Sequence, residues 1–324
     1  MSRALVTGGA GFIGSHVSDK FLQAGWSVDL LDDLSSGKRE RVPQAATLHV
    51  LDVRSPEAAT LIADGQFDAI IHLAGQIDVR TSVEQPMLDA SINVLGTLNV
   101  LEAVRKSSGA KRTRVVFSST GGAVYGDHVQ PPHIESTPKE PDSPYAISKL
   151  AAEYYLSYYG RLHGMNTVSM RFANVYGPRQ DPHGEAGVVA IFCNRILTGR
   201  PLTVFGDGEQ TRDYVHVGDV ADAVFRGATE KLPSARRVDE RAFNVGTGQA
   251  TSVVELANVL LRVSQSSSPI EYAPARLGEL MHSSLTVDKI RRELGWTPQW
   301  SLDTGLADTF AWFAERSRQP APAR

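Results

Sequence analysis

Short apolar runs alternate with amphipathic stretches along the first half of the chain. The apolar runs predict buried strands at 4–8, 27–33, 47–51, 68–73, 114–118 and 166–171. Between them, apolar residues spaced three and four apart predict helices, most clearly at 12–25, 86–106 and 145–163. Apolar strands that alternate with helices indicate a parallel sheet covered on both faces, so the sequence predicts an α/β fold.

The second half of the chain has a less regular pattern. A stretch rich in turn residues predicts a long loop at 176–187, and we expect helices at 216–228 and 251–263. The run FNVGTG, residues 243–248, predicts a strand that leads into a glycine turn. We therefore expect interleaved domains. The nucleotide-binding domain comprises 1–173 and about 213–247, and the smaller substrate-binding domain comprises 174–212 and about 248–316, before a disordered tail at 317–324.

Composition excludes several classes of function. The 324 residues are 42% hydrophobic and 21% charged, which is ordinary for a globular protein. A net charge of −3 gives no reason to expect a nucleic-acid partner or an anionic membrane. A single cysteine and histidines without metal-binding spacing predict neither a disulfide nor a metal site. No apolar run reaches the length of a membrane span and no signal-peptide pattern opens the chain, so we expect a cytoplasmic protein.

A glycine-rich loop lies between the first predicted strand and the first predicted helix. Its sequence, TGGAGFIG at 7–14, satisfies G-x-G-x-x-G with Gly9, Gly11 and Gly14, and also places Gly8 three residues before Gly11. Glycines let the backbone approach a pyrophosphate closely, and the following helix N-terminus offers free N–H groups. Strand, loop and helix in this order predict a dinucleotide site.

Asp32 ends the second predicted strand, 18 residues after Gly14. A carboxylate at this position accepts hydrogen bonds from ribose hydroxyls and repels a 2′-phosphate, which favours NAD over NADP. The alternative is an aspartate that merely caps a turn.

Tyr145 and Lys149 stand four residues apart at the start of a predicted helix. Ser143 suits the N-cap and Pro144 the first turn, so both side chains would share one helix face. A lone pair of this spacing is most often a tyrosine packed on a lysine stem. With a dinucleotide site nearby, the ammonium and an oxidised nicotinamide would both stabilise the phenolate, so that Tyr145 could accept a proton from a sugar hydroxyl.

A second hydroxyl should hold the same substrate oxygen. The run FSST, residues 117–120, follows a predicted strand end, and Thr120 is the first candidate, with Ser118 and Ser119 beside it. The alternative is an ordinary polar loop.

These motifs resemble one family in both kind and order. TGGAGFIG, Asp32, HLAG (72–75), FSST, YAISK (145–149) and NVYGPRQ (174–180) occur as in the extended short-chain dehydrogenase/reductases. The match continues through GDGEQTRDYVHVGDVA (206–221), FNVGTG and RLGELMHSSLTVDKIRRELGW (276–296), so it covers nearly the whole chain. The resemblance implies a Rossmann-type doubly wound parallel sheet with a smaller, interleaved C-terminal substrate-binding domain.

Within that family the chain is most similar to the UDP-glucose (UDP-galactose) 4-epimerases. The similarity implies an NAD-dependent isomerase of galactose metabolism that inverts C4 of a UDP-hexose through a transient 4-keto sugar, and no metal. It also implies site residues. The cofactor would be held by Gly8, Gly11, Phe12, Ile13, Asp32, Asp33, Ser36, Gly37, Asp52, Val53, Leu73, Ala74, Gly75, Asn93, Ser118, Tyr145 and Lys149. The catalytic residues would be Thr120, Tyr145 and Lys149. The substrate would be held by Ser119, Thr120, Tyr145, Asn174, Val189, Arg212, Arg276, Glu279 and Ser283.

Other activities on the same fold stay open. Related nucleotide-sugar 4,6-dehydratases and decarboxylases carry acidic residues directly after the Ser/Thr, whereas Gly121, Gly122 and Ala123, which follow here, cannot exchange protons. A UDP-glucuronate 4-epimerase would use the same core. A non-catalytic NAD-sensing regulator is the alternative of a different class, and such proteins often lack the tyrosine or the lysine that this chain has.

The resemblance also bears on specificity and assembly. At the position of Ser283 a bulky residue tends to exclude N-acetyl sugars in this family, so a serine predicts that UDP-GlcNAc and UDP-GalNAc are accepted too. Family members are commonly homodimers that pair the helices expected near 86–106 and 145–163. The apolar Tyr154, Tyr155, Leu156, Tyr158 and Tyr159 agree with such pairing, although burial within one chain would explain them equally.

Overall fold

A central parallel sheet organises the protein. The structure, a computed structural model, describes residues 1–182, 187–234, 236–275 and 280–318. Its strands are β1 (Arg3–Thr7), β2 (Ser27–Asp32), β3 (Thr47–Val50), β4 (Ala69–His72), β5 (Arg114–Thr120), β6 (Asn166–Phe172), β7 (Asn174–Tyr176), β8 (Leu202–Phe205), β9 (Thr211–Arg212), β10 (Tyr214–His216), β11 (Ala242–Val245), β12 (Thr251–Ser252) and β13 (Ile270–Ala273). Seven of them form one sheet in the order β11-β6-β5-β4-β1-β2-β3, with every neighbour parallel. The predicted Rossmann-type sheet is confirmed.

Helices cover both faces of this sheet. They are α1 (Phe12–Gln23), α2 (Pro56–Asp64), α3 (Val79–Glu84), α4 (Pro86–Ala90), α5 (Gly96–Lys106), α6 (Pro144–His163), α7 (Val188–Leu197), α8 (Val217–Thr229), α9 (Val253–Ser264), α10 (Asp288–Leu294) and α11 (Leu302–Arg318). Short 3-10 helices span Arg39–Arg41 and Val238–Arg241, and a π-helical segment, Ser91–Leu95, joins α4 to α5.

Alternation along the strands builds one hydrophobic core on each face of the sheet. Val6 and its counterparts in neighbouring strands pack with α1 and α8, where Val17 and Val224 are fully buried. Leu5, one residue earlier, points to the opposite face and packs with α2, α5 and α6, where Leu101 is fully buried. Because successive side chains of a strand point to opposite faces, an apolar strand can serve both cores at once.

A third core lies outside the seven-stranded sheet. It is formed by α7, α9, α11 and residues of β8 and β10, with Phe192, Leu256 and Leu306 buried at its centre. Short two-stranded sheets, β10–β7, β12–β9 and β13–β8, surround it. The boundaries of the two interleaved domains stay a prediction.

Several local features differ from the sequence-based expectations. The helix expected at 86–106 is interrupted by the π-helical segment, and the loop expected at 176–187 begins within β7. Helix α11 continues through Arg318, so the expected disordered tail from 317 begins inside a helix, and 319–324 lie outside the described residues.

The stretch Pro86–Lys106 requires a correction. By length and composition alone it could cross a membrane, contrary to the expectation that no apolar run reaches that length. In the structure its residues Val100, Leu101 and Val104 are buried in the core beneath α2 and α6. The α5 part of the stretch therefore packs against the core of the protein itself.

Candidate active site

The predicted site residues gather at the carboxyl ends of the parallel strands. β1 leads into the glycine loop, β2 ends at Asp32, β4 ends at His72 before Leu73–Gly75, and β5 ends at Thr120. In open α/β sheets ligands bind in the crevice at this edge, where loops converge above the strands.

The glycine loop is packed so closely that Gly8 and Gly14 have no room for a side chain. Gly8 has a φ of +69°, and a Cβ there would lie 2.8 Å from the backbone nitrogen of Ala74. A Cβ on Gly14 would lie only 2.0 Å from the carbonyl oxygen of Gly8. Gly11 is the N-cap of α1, and no side chain caps the helix there. The first turn, with Phe12 and Ile13, therefore keeps backbone N–H groups for an anion, as a dinucleotide pyrophosphate requires.

Asp32 lies beside this loop with its carboxylate mostly buried. Oδ2 accepts a hydrogen bond from Ala10 N at 2.9 Å, and Oδ1 accepts one from Leu34 N at 2.8 Å. Burial nevertheless raises the pKa of Asp32, which means that these two bonds compensate the charge only in part. Gly37 approaches so closely that a Cβ there would lie 2.4 Å from Oδ1. Each carboxylate oxygen retains acceptor capacity for a ribose hydroxyl, so the site fits NAD.

Two other predicted cofactor residues, Asp33 and Ser36, are exposed. Asp33 is exposed, and its Oδ1 accepts hydrogen bonds from the backbone nitrogen and hydroxyl of Ser35. Ser36 is exposed in the same turn. Their contribution to the cofactor site stays a prediction.

Asp52 and Val53 follow β3 at the far end of the cleft. Leu51 N donates to the carbonyl of Asp32 at 3.2 Å, which places the segment next to the ribose position. The carboxylate of Asp52 is paired with Arg54, which lowers the pKa of Asp52. Val53 is buried, and its carbonyl accepts a hydrogen bond from Asn99 at 2.8 Å. Asp52 and Val53 are thus fixed in positions from which they can border a ring of the cofactor at this end of the cleft.

The π-helical segment brings Asn93 to the loop after β4. Asn93 Oδ1 accepts a hydrogen bond from Gln76 N at 3.0 Å, and Asn93 Nδ2 donates to Gln76 O at 2.9 Å. A Cβ on Gly75 would lie 2.7 Å from Asn93 Oδ1 and 3.3 Å from Lys149 Nζ. Gly75 is therefore the point where the cofactor cleft meets the predicted catalytic helix, with Leu73 and Ala74 leading to it.

Helix α6 begins as the sequence predicts. Ser143 is the N-cap, and its hydroxyl accepts a hydrogen bond from Ala146 N at 3.2 Å, with Pro144 in the first turn. Tyr145 and Lys149 share one face, and Lys149 Nζ lies 6.0 Å from the centroid of the Tyr145 ring. The two side chains thus lie next to each other at the start of α6, and their catalytic pairing stays a prediction.

Lys149 is buried against the end of β5. Its Nζ donates to the carbonyl of Ser118 at 3.0 Å and lies 4.9 Å from the ring centroid of Phe117. Burial lowers the pKa of Lys149 to about 8, and a Coulomb interaction with Asp89 opposes that shift. The ammonium is thus held by the strand that also carries the predicted hydroxyls.

Those hydroxyls differ in their surroundings. Ser118 Oγ donates to the carbonyl of His72 at 3.2 Å and so supports the sheet edge. Ser119 Oγ is buried and has no hydrogen-bond partner among the described residues. Thr120 is half-buried at the strand end, and a Cβ on Gly122 would lie 4.0 Å from its Oγ1 and 3.4 Å from Asn174 Oδ1. Thr120 and Asn174 therefore face each other across a glycine.

Four of the predicted substrate residues differ in how exposed their side chains are. Asn174 is exposed, and Arg212 is half-exposed, with Nη1 donating to the carbonyl of Thr211 at 2.8 Å. Val189 lies in the first turn of α7, but its side chain is buried in the third core, so only its backbone can reach a ligand. Ser283 is buried, and its backbone nitrogen donates to Thr211 O at 3.1 Å.

Arg276 and Glu279, the remaining predicted substrate residues, lie outside the described residues. In the described part of the chain, no three His, Cys, Asp or Glu side chains are grouped so that they could hold a metal ion.

The structure adds residues that the sequence did not single out. His72 is buried between the hydroxyls of Thr7 and Thr97, at 2.8 and 3.0 Å, and burial lowers its pKa to about 3. Thr7 Oγ1 in turn accepts a hydrogen bond from Ala74 N at 3.1 Å, which ties the loop to β1. Asp89, a lone acidic residue in an apolar stretch, is also buried, and that isolation was the available signal.

Comparison with known proteins agrees with this geometry. The family model "NAD dependent epimerase/dehydratase family" matches residues 4–246. UDP-glucose 4-epimerase of Mycolicibacterium smegmatis is 43% identical over 98% of this chain and 100% of its own length. The crystal structure of Thermotoga maritima UDP-glucose 4-epimerase with UDP-glucose superposes with a TM-score of 0.92 at 40% identity, over 98% of this chain and 100% of that one. The Thermus thermophilus UDP-glucose 4-epimerase complex with NAD gives a TM-score of 0.87 at 42% identity, over 96% and 98%. The chain belongs to the NAD dependent epimerase/dehydratase family.

Proposed function

We propose that the protein is a UDP-glucose 4-epimerase that interconverts UDP-galactose and UDP-glucose. The observation that carries the proposal is the placement of Tyr145 and Lys149 beside the end of β5, where Thr120 is followed by two glycines. Similarity to UDP-glucose 4-epimerases over nearly the whole chain supports it.

The proton chemistry belongs to Tyr145. Its phenolate oxygen accepts the proton of the sugar 4-hydroxyl, and the Lys149 ammonium stabilises the negative charge that this requires. The hydroxyl of Thr120 donates a hydrogen bond to the same sugar oxygen and holds it in line. When the 4-keto sugar is reduced back to an alcohol, Tyr145 returns the proton to the oxygen on C4.

The cofactor supplies the redox step. The glycine loop and Asp32 would hold NAD, which when bound would supply the hydride chemistry at C4 and be regenerated in every cycle. Inversion of C4 requires the 4-keto sugar to present its opposite face. The chain must therefore hold the diphosphate while the sugar turns. Asn174, Arg212 and Arg276 are the proposed anchors, because guanidinium groups suit a diphosphate, and Glu279 is proposed for the uridine ribose.

The residues after Thr120 separate this reaction from a dehydration. A 4,6-dehydratase or a decarboxylase needs an additional acid or base, whereas Gly121, Gly122 and Ala123 have none. Instead, Gly122 leaves open the space between Thr120 Oγ1 and Asn174 Oδ1. A Cβ there would contact both atoms, at 3.4 Å from Asn174 Oδ1 and 4.0 Å from Thr120 Oγ1, so the glycine keeps a side chain from coming between them.

The size of Ser283 extends the proposal to N-acetylated sugars. Its side chain is small and buried, and its backbone nitrogen donates to the carbonyl of Thr211, which precedes Arg212 on β9. A small residue at this position leaves room for an acetamido group at C2. We therefore include UDP-GlcNAc and UDP-GalNAc among the substrates.

The proposed working form is a cytoplasmic homodimer. Apolar side chains are exposed on α4, the π-helical segment and α6, which lie side by side. They are Met87, Leu88, Leu95, Ile147, Tyr154, Tyr155, Tyr158 and Leu162. Leu156 and Tyr159, by contrast, are buried in the core of the chain itself. A patch of this kind favours pairing with a second copy. Light scattering should give twice the chain mass, and Leu162→Glu should reduce it to that of a monomer.

The decisive experiment needs no added cofactor. Purified protein is incubated separately with UDP-galactose, UDP-GalNAc and UDP-glucuronate, and the products are separated by chromatography. Conversion of UDP-galactose to UDP-glucose supports the proposal, and conversion of UDP-GalNAc supports the role of Ser283. If UDP-glucuronate were the only sugar to react, it would replace UDP-galactose as the proposed substrate. No reaction with any of the three sugars, even with NAD supplied, would overturn the proposed activity.

A further inference from the structure

Asp89 is a buried carboxylate that the proposed mechanism does not use. It lies near the end of α4 and is 0% exposed. Its Oδ2 accepts hydrogen bonds from Asn93 Nδ2 at 3.0 Å and Gln76 Nε2 at 3.1 Å. Its Oδ1 is also buried and has no hydrogen-bond partner among the described residues. A buried carboxylate that is only half satisfied is costly unless an opposite charge compensates it.

The hydrogen bonds around Asn93 show that Asp89 acts as an acceptor. The backbone nitrogen of Gln76 can only donate, so the Asn93 atom that faces it, at 3.0 Å, must be Oδ1. The Asn93 amide nitrogen is then directed at the carbonyl of Gln76 and at Asp89 Oδ2. Asp89 Oδ2 therefore receives two donors, Asn93 Nδ2 and Gln76 Nε2.

Lys149 is the complementary buried charge. Its Nζ has one hydrogen bond within the described residues, to the carbonyl of Ser118. The Asn93 amide oxygen and the Lys149 ammonium converge on one point beside Gly75, 2.7 and 3.3 Å from the position of a Cβ there. Asp89 is bonded to that same amide. The buried carboxylate and the buried ammonium thus lie on either side of the Asn93 amide, and each lowers the cost of burying the other.

Among the described residues, the other groups that contact Lys149 carry no negative charge before substrate binds. Tyr145 lies on its own helix, and β5 contributes only the Ser118 carbonyl and the Phe117 ring. His72, at the end of β4, is held neutral by burial, which lowers its pKa to about 3. Among the described residues, the anion that acts on Lys149 is therefore Asp89 on α4.

We propose that Asp89 is a positioning residue that acts through Lys149, holding the ammonium charged and in place below the Tyr145 phenol. The proposal rests on the proposed function, because it concerns the protonated form of Lys149 that the epimerisation requires. It adds a carboxylate on α4 to the groups that set the pH range of the enzyme.

Asp89→Asn tests the charge while it preserves the contacts. The asparagine oxygen can still accept from Asn93 and Gln76, but the negative charge is lost. The active form needs a Tyr145 phenolate and a Lys149 ammonium, which predicts a bell-shaped dependence of kcat on pH. Without Asp89 both groups lose their protons more readily. We therefore expect both limbs of the bell to move to lower pH by about one unit.

Asp78→Asn is the matched control. Asp78 also lies between β4 and α4, but its carboxylate caps α3 by accepting from Thr81 N at 2.9 Å. We expect this variant to keep the wild-type pH profile. A purely structural role of Asp89 would lower kcat equally at every pH and leave the bell where it was, and that result would overturn the proposal.

A double-mutant cycle of thermal stability tests the interaction between Asp89 and Lys149 independently of turnover. Thermal unfolding is compared for wild type, Asp89→Asn, Lys149→Met and the double variant. If the two charges compensate each other, Asp89→Asn should lower Tm by several degrees in the wild type and by much less in the Lys149→Met background. Equal losses in both backgrounds would overturn the proposal, even if Asp89→Asn alone folds too poorly for kinetics. If the wild type turns over no nucleotide sugar, the proposed function fails, whereas the cycle still reports on the charge pair.

Discussion

The guanidinium of Arg171 holds the carboxylate of Glu153 at two points, with Nη2 2.6 Å from Oε2 and Nε 2.9 Å from Oε1. Neither side chain is exposed to solvent. Glu153 lies on α6, the helix of the proposed catalytic residues, and Arg171 lies on β6. The same guanidinium also donates to Asp239 at 2.8 Å, to the hydroxyl of Tyr125 at 3.0 Å and to the carbonyl of Glu135 at 2.9 Å. These bonds hold α6, with the proposed catalytic residues, against the sheet.

We predict that Arg171→Met is strongly destabilising. The substitution leaves the Glu153 carboxylate buried without its partner, and such losses are typically about 3–5 kcal/mol. Urea unfolding followed by circular dichroism measures the change in free energy of unfolding. Arg291→Met is the control, because the pair of Arg291 with Asp288 is exposed and should cost less than about 1 kcal/mol. Similar losses in the free energy of unfolding of the two variants would contradict the prediction that the buried Arg171–Glu153 pair stabilises the fold far more than the exposed pair.

Tyr145→Phe should abolish turnover without removing the cofactor. The phenylalanine keeps the ring but cannot accept the 4-hydroxyl proton, so kcat should fall by about 10²–10⁴-fold. Mass spectrometry of the denatured protein should still release NAD in the wild-type ratio. Thr120→Val should lower kcat less, because it removes a hydrogen bond and leaves the base in place. Wild-type turnover in the Tyr145→Phe variant would exclude the mechanism.

His72 should make the fold sensitive to acid. Burial, with a smaller contribution from Lys149, lowers the pKa of His72 from 6.5 to about 3. Between these values the unfolded chain binds a proton that the folded chain does not, so stability falls as the pH falls through this window. The slope is at most about 1.4 kcal/mol per pH unit. In unfolding experiments from pH 7 to pH 4, His72→Gln should show a shallower slope, and an unchanged slope would contradict the prediction.

Gly14→Ala should abolish cofactor binding. The new Cβ would lie 2.0 Å from the carbonyl oxygen of Gly8, and backbone cannot move aside there without opening the loop. The purified variant is expected to contain no NAD. Gly199→Ala is the control, since Gly199 has a φ of +65° but nothing within 4 Å of its Cβ position. It should cost about 1–2 kcal/mol of stability and retain NAD.

The sequence predicts the parts of the site that local patterns encode. The glycine loop, the strand end at Asp32 and the capped helix of Tyr145 and Lys149 depend on neighbouring residues, and the structure has each of them. By contrast, His72 and Asp89 become significant only through burial by distant segments, which periodicity does not reveal.

The resemblance has a similar limit. It brings Val189 into the substrate set by position, but the structure buries that side chain in the third core. A motif match identifies a residue, whereas the orientation of its side chain depends on packing within this particular chain.

The π-helical segment Ser91–Leu95 restricts how this region can change during evolution. A π turn contains one more residue than an α turn, so a one-residue deletion there would restore a regular helix. Because the π turn absorbs that additional residue, the turns on either side of it keep a common phase, and such a deletion would leave Asp89 and Thr97 on the same face. A one-residue deletion within α5 has no such turn to absorb it and would rotate the residues on one side by about 100° relative to the other. The helix can therefore lose one residue at the π turn, whereas the same loss in α5 would misplace one half of the cleft wall.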